Sequence, residues 1–172
     1  MLRPSDVGPG VARKEVPGGR SLSQPTLDLC GATYRSESLR TDRIQVLYTD
    51  PGGHIFLSNE VVSYRSHGAE QAYRELRSLV GHCPTPYPIS GGNATRVRFG
   101  PRDPRLLERQ FVATALFSSP QGRVWSGAVY QFLGEDFSGV YSYGPSRELA
   151  LRLALRVAVV AGERLSSTIV TA

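Results

Sequence analysis

The chain has 172 residues, a net charge of +5, 40% hydrophobic residues, 18 glycines and 12 prolines. That length supports one domain, residues 1–172, able to bury an ordinary core without staples, and the composition excludes a disordered chain or a coiled coil. The basic balance is a weak pointer to nucleic acid, because every basic residue except Lys14 is an arginine, scattered from Arg3 to Arg164 without a run of three, as on a solvated surface.

In chain order, residues 1–26 are rich in glycine and proline and read as largely extended, with a helical turn after Ser5 and a peripheral strand over 11–16. Leu27-Asp28-Leu29-Cys30 is strand-like, and residues 33–40 read as a polar loop. Ile44, Val46 and Tyr48 alternate on one face of a strand. Asp50-Pro51-Gly52-Gly53 is a turn, and residues 55–64 return as a second strand, making a hairpin.

Ser66 is placed to cap a helix over about 67–82, with Glu70 at the positive end of its dipole. Ala69, Ala72, Tyr73, Leu76, Leu79 and Val80 form its apolar stripe, Cys83 continues it, and Pro84 forbids extension. The run Pro84-Thr85-Pro86-Tyr87-Pro88 excludes helix or central strand, and a short strand is expected over 95–99. Residues 109–117, 123–133 and 137–143 read as three strands joined by short turns, hence an antiparallel meander.

At Gly144-Pro145-Ser146 the apolar period changes from 2 to 3.6, with Pro145 suited to a first helical position. A helix over about 145–164 follows, with Leu149, Leu153, Val157, Val160 and Ala161 as the stripe that lies across the sheet. The expected fold is α+β, an antiparallel sheet of about five to seven strands with two main helices packed on it.

Cys30 and Cys83 are the two cysteines, and a bond between them closes a loop of 83 − 30 = 53 residues. The chain-entropy argument values such a closure at about 4 kcal/mol as an upper figure. The alternative is a pair of buried free thiols in a cytosolic protein. No nucleophile elbow, phosphate loop, zinc-protease helix or C-x-x-C is present. His67 and His82 stand about 22 Å apart on one predicted helix, too far to share a metal. Gly91-Gly92-Asn93 is a candidate anion nest, with a plain loop as the simpler reading.

The aromatic meander is the most informative stretch. Alternation places Val124, Ala128, Tyr130 and Phe132 on one face of the middle strand, with Trp125 and Val129 on the other; Tyr141 and Tyr143 share a face of the last strand. With the terminal helix covering the first face, Trp125 is left to wall a cleft on the second with one or more of Tyr130, Tyr141 and Tyr143, while Arg123 orients an anionic group. The alternative is that all these aromatics fill the core.

The opening Leu2-Arg3-Pro4-Ser5-Asp6-Val7-Gly8-Pro9-Gly10, the Leu29-Cys30 and Tyr34-Arg35-Ser36 pair, Arg43-Ile44-Gln45-Val46, Asn59-Glu60-Val61-Val62-Ser63-Tyr64 and residues 69–83 together resemble the PknH-like extracellular sensor domains of actinobacteria. The resemblance implies an exported, disulfide-bonded α+β domain without catalysis, with a cleft for an unidentified ligand, found on receptor kinases and on separate lipoproteins. This chain carries one cysteine pair where the kinase sensors carry more.

The expectation is therefore a non-catalytic ligand-binding or sensor-like domain of the cell envelope, taking a small-molecule, cell-wall or lipid ligand and using no cofactor, metal or nucleic acid. No stretch reaches the 18 or more apolar residues of a membrane span, and the N-terminus lacks the apolar segment of a signal peptide. Export and membrane association are expected to depend on a segment outside this chain. The alternatives are an enzyme of unrecognised type and a cytoplasmic polyanion binder using the scattered arginines.

Overall fold

A computed structural model of the chain describes residues 1–89 and 92–169. Its centre is one antiparallel sheet of eight strands in the order β1-β2-β3-β8-β7-β6-β5-β4. The strands are β1 (Ala12–Glu15), β2 (Arg40–Thr49), β3 (Phe56–Tyr64), β4 (Tyr87–Ile89), β5 (Gly92–Phe99), β6 (Arg109–Ser119), β7 (Gly122–Leu133) and β8 (Asp136–Gly144). The α+β class and the antiparallel meander are as expected, and the strand number is higher than the expected five to seven. The added strand, β4, lies in the proline-rich run, which an edge position tolerates because Pro88 has no N–H to give to a second neighbour.

The hairpin β2–β3 and the meander β6–β7–β8 are local, and the pairing of β3 with β8 joins them into one sheet. Three helices accompany it: a turn α1 (Pro4–Val7), α2 (Gly68–Leu79) and α3 (Arg147–Ile169). One sheet face carries Val46, Tyr48, Leu57, Val129 and Val140, and it is covered by α3 with Leu2 and Val7 of the N-terminal segment. On the opposite face Val62, Tyr64, Ala128, Tyr130, Phe132 and Phe137 pack under Ala69, Ala72 and Leu76 of α2 and under the segment from Leu27 to Tyr34.

Both helices depart from their expected bounds. α2 starts after His67, which sits in the left-handed region at φ 63° with no side-chain cap, and not after a Ser66 cap. The His67 N–H donates instead to Glu135 Oε1 at 2.8 Å, tying the helix start to the β7–β8 turn. The helix ends at Leu79 ahead of Gly81, whose φ of +83° is a glycine conformation, so Cys83 lies beyond the helix and not on its stripe. α3 begins at Arg147, past Pro145, with Ser146 Oγ accepting the Leu149 N–H at 3.2 Å, and continues past residue 164.

The buried side of α3 is Ala150, Ala154, Val157, Ala158, Ala161 and Leu165, while Leu149 is 51% exposed. The expected stripe is thus rotated toward alanine, because the helix lies so close to β7 that a Cβ at Gly127 would fall 2.7 Å from the backbone of Ala150. Leu29–Gly31 is a 3-10 turn with Cys30 at φ 64°, not a strand, and the loop expected before β2 contains a second 3-10 turn, Arg35–Leu39. Cys30 and Cys83 are bonded, with Cα atoms 5.2 Å apart.

Candidate functional site

The α2 side of the sheet is covered over only part of its area. Beside the helix, the uncovered strands β3, β8, β7 and β6 floor a cleft of about 340 Å³, walled by Pro25–Leu29 on one flank and by Tyr87 and Ile89 of β4 on the other. Tyr130, Tyr141 and Tyr143 project into it because Gly139, Tyr141 and Tyr143 of β8 pair with Tyr130, Ala128 and Ser126 of β7, all of one parity. Tyr130 and Tyr141 meet edge to face at 5.7 Å, and Phe117 and the 45%-exposed Phe56 pack on Tyr143 at the open end. Gly139 makes room for this arrangement, since a Cβ there would stand 2.5 Å from Tyr141 Oη.

Two of the five sequence-predicted residues are elsewhere. Alternation on β7 places Trp125 and Arg123 with Gly127 and Val129 on the α3 side; Trp125 is half-buried there and Arg123 is exposed at the strand start. The expected assignment of faces is therefore reversed: α3 covers the Trp125 face, whose glycine and alanine-sized contacts admit a helix, and the Tyr130 face is left for the cleft.

The polar floor of the cleft is absent from the sequence-based expectation. Glu60, on β3, is 2% exposed. Its Oε1 accepts Arg43 Nε at 2.5 Å and Thr26 Oγ1 at 2.7 Å. Burial pushes its carboxyl up to about 7, with Arg43 and Thr26 opposing that rise. Arg43 also donates to Gly18 O at 3.1 Å and to Gln45 Oε1 at 2.8 Å.

The wall segment is held by Glu37, whose carboxylate accepts the Thr26 and Leu27 N–H groups at 2.8 and 3.0 Å, and by Arg40, which donates to Thr26 Oγ1 at 2.8 Å. Tyr141 Oη is buried with no hydrogen-bond partner among the described residues, and burial holds the hydroxyls of Tyr130 and Tyr141 well above the ordinary tyrosine range and that of Tyr143 up to about 12. The one sequence signal for this floor is a pair of opposite charges, Arg43 and Glu60, inside otherwise β-rich runs that form a hairpin.

The histidines lie apart: His54 is exposed beside Asp50, and His67 and His82 flank α2. Among the described residues no group of three or more His, Cys, Asp or Glu is gathered as a metal would require. Of the candidate anion nest, Gly91 lies outside the described residues, and Gly92 and Asn93 belong to β5.

No protein-family model matches the sequence, and no curated protein matches it. Its fold is similar to that in the crystal structure of the extracellular domain of PknH from Mycobacterium tuberculosis, with a TM-score of 0.56, 12% sequence identity, and coverage of 92% of this chain and 90% of that one. At that identity the likeness is one of fold, and it extends over nearly the whole of both chains.

Proposed function

We propose that this chain is a non-catalytic, ligand-binding sensor-like domain of the cell envelope, with the tyrosine-walled cleft as its binding site. The observation that carries the reading is the cleft itself, a concave space that combines aromatic and small apolar side chains with convergent polar groups, among them a buried tyrosine hydroxyl without a partner among the described residues. The shared fold with an extracellular domain supports it, and so does the Cys30–Cys83 bond, which suits an oxidising compartment.

The test is a thermal-shift screen of cell-wall fragments, lipids and small metabolites, with hits mapped by NMR. Hits should perturb Tyr130, Tyr141 and Tyr143 and lose affinity in Tyr141→Ala at unchanged fold; hits that map outside the cleft overturn the proposal. Glu60 is the observation favouring an enzyme, since a buried carboxyl near 7 has the proton affinity of a general base. Chemical turnover of a cleft-binding hit, lost in Glu60→Gln, would establish that second reading.

A further inference from the structure

We propose that the cleft selects a small organic ammonium compound, a primary amine on an apolar or aromatic body, with the ammonium at Glu60 and the body among Tyr130, Tyr141 and Tyr143. This rests on the reading of the cleft as the binding site and names the ligand class.

The first ground is charge. The chain has 20 Lys and Arg against 15 Asp and Glu, yet the charged residues lining the cleft are Asp28 and Glu60, both acidic. An anionic ligand would meet two acidic residues and no lining cation, the Arg43 guanidinium being already bound to Glu60 Oε1.

The second ground is hydrogen bonding. Both contacts to the Glu60 carboxylate fall on Oε1, and Oε2 has no partner among the described residues. Neighbouring cations are already committed: Arg43 to Glu60 Oε1, Gly18 O and Gln45 Oε1, and Arg40 to Glu37, Thr26 and the carbonyls of Leu22 and Gln24. Glu60 Oε2 therefore opens to the cleft, and Tyr141 Oη, buried and without a partner among the described residues, borders the same space, so both face a position where a donor is lacking. An ammonium group has three donors, enough for both.

The third ground is the aromatic wall. Tyrosine faces attract a cation within about 6 Å of the ring, and a cleft of about 340 Å³ is at the small end of ligand sites, sized for a compact amine.

The test uses three probes that share a phenol ring and differ in the head group: tyramine, tyrosol and 3-(4-hydroxyphenyl)propanoate. Titrated calorimetrically into the intact, disulfide-bonded chain, tyramine should bind at least tenfold more tightly than tyrosol, and the carboxylate should bind most weakly. Glu60→Gln should cost tyramine about tenfold and leave tyrosol unchanged. Because that variant strands the Arg43 charge and can unfold the domain, the head-group series on the unaltered chain decides by itself. Tyrosol or the carboxylate binding as tightly as tyramine overturns the ammonium class while leaving the cleft as a binding site. If tyramine fails to perturb the cleft tyrosines by NMR, the inference also falls, whereas cleft binding as such stands or falls with the broader screen.

Discussion

Glu60 sits between two opposing effects. Water removed from its carboxyl favours the neutral acid, and Arg43 Nε at 2.5 Å favours the anion; burial wins, taking the group from 4.5 to about 7. A native carboxyl that holds its proton more tightly than the unfolded one stabilises the fold fully below about pH 4.5 and progressively less up to about pH 7. Asp6, Asp50 and Asp103 are lowered by their hydrogen bonds and act in the opposite direction, below pH 4. Urea midpoints should accordingly decline from pH 4.5 to pH 7, with Glu60 accounting for on the order of 3 kcal/mol. A carboxyl carbon titration of Glu60 should have its midpoint near 7; a midpoint near 4 would show that the Arg43 pair wins. Tyr141 offers a simpler case. Its hydroxyl is desolvated and has no partner among the described residues, so Tyr141→Phe should raise stability by about 1 kcal/mol while weakening binding of a cleft ligand.

At the scale of elements, α3 and β7 touch through missing side chains. Gly127 lies against the Ala150 backbone, Gln131 Nε2 donates to Ala158 O at 2.8 Å, and Ser142 Oγ donates to Ala150 O. The sheet thus reaches the helix with polar side chains as well as apolar ones, and the register of α3 is set by where a helix can approach most closely. Gly127→Ala forces a methyl into a backbone contact that no rotamer change relieves. It should destabilise the fold by about 3 kcal/mol, the upper end of ordinary overpacking, as read from the urea midpoint. Leu149→Ala, at an exposed position of the same helix, should cost less than about 0.5 kcal/mol.

Across the whole molecule, the cleft depends on contacts distant in sequence. β3 and β8 supply its floor, Glu37 fixes its flank at Thr26 and Leu27, and the disulfide ties the Cys30 turn to the segment after α2. Opening the 53-residue loop in a Cys30→Ser/Cys83→Ser variant should lower stability by up to about 4 kcal/mol, measured by urea denaturation against the oxidised chain. Tyramine binding should weaken in the same variant even where it remains folded, because Pro25–Leu29 would lose their anchor at Cys30. Unchanged binding would mean that the Glu37 and Arg40 contacts hold the wall unaided.

Local patterning was enough for the hairpin, the meander and both long helices, since period-2 and period-3.6 alternation and the turn residues between them act over a few residues. The Cys30–Cys83 pairing followed from there being two cysteines, although the local structures assigned around them were different. The same alternation correctly grouped Tyr130 with Ala128 and separated both from Trp125. It could not say which group α3 would cover, because strand periodicity distinguishes two faces without labelling them. That choice was made by the close approach of Ala150 to Gly127 and by the hydrogen bonds from Gln131 and Ser142, contacts that exist only once β8 and the helix fold back on β7. The polar floor was hidden for the same reason: Glu60 becomes a buried carboxylate in a tyrosine cleft only when β3 pairs with β8 across nearly eighty residues of chain, bringing Gly139 opposite it and Tyr141 into the lining of the same cleft.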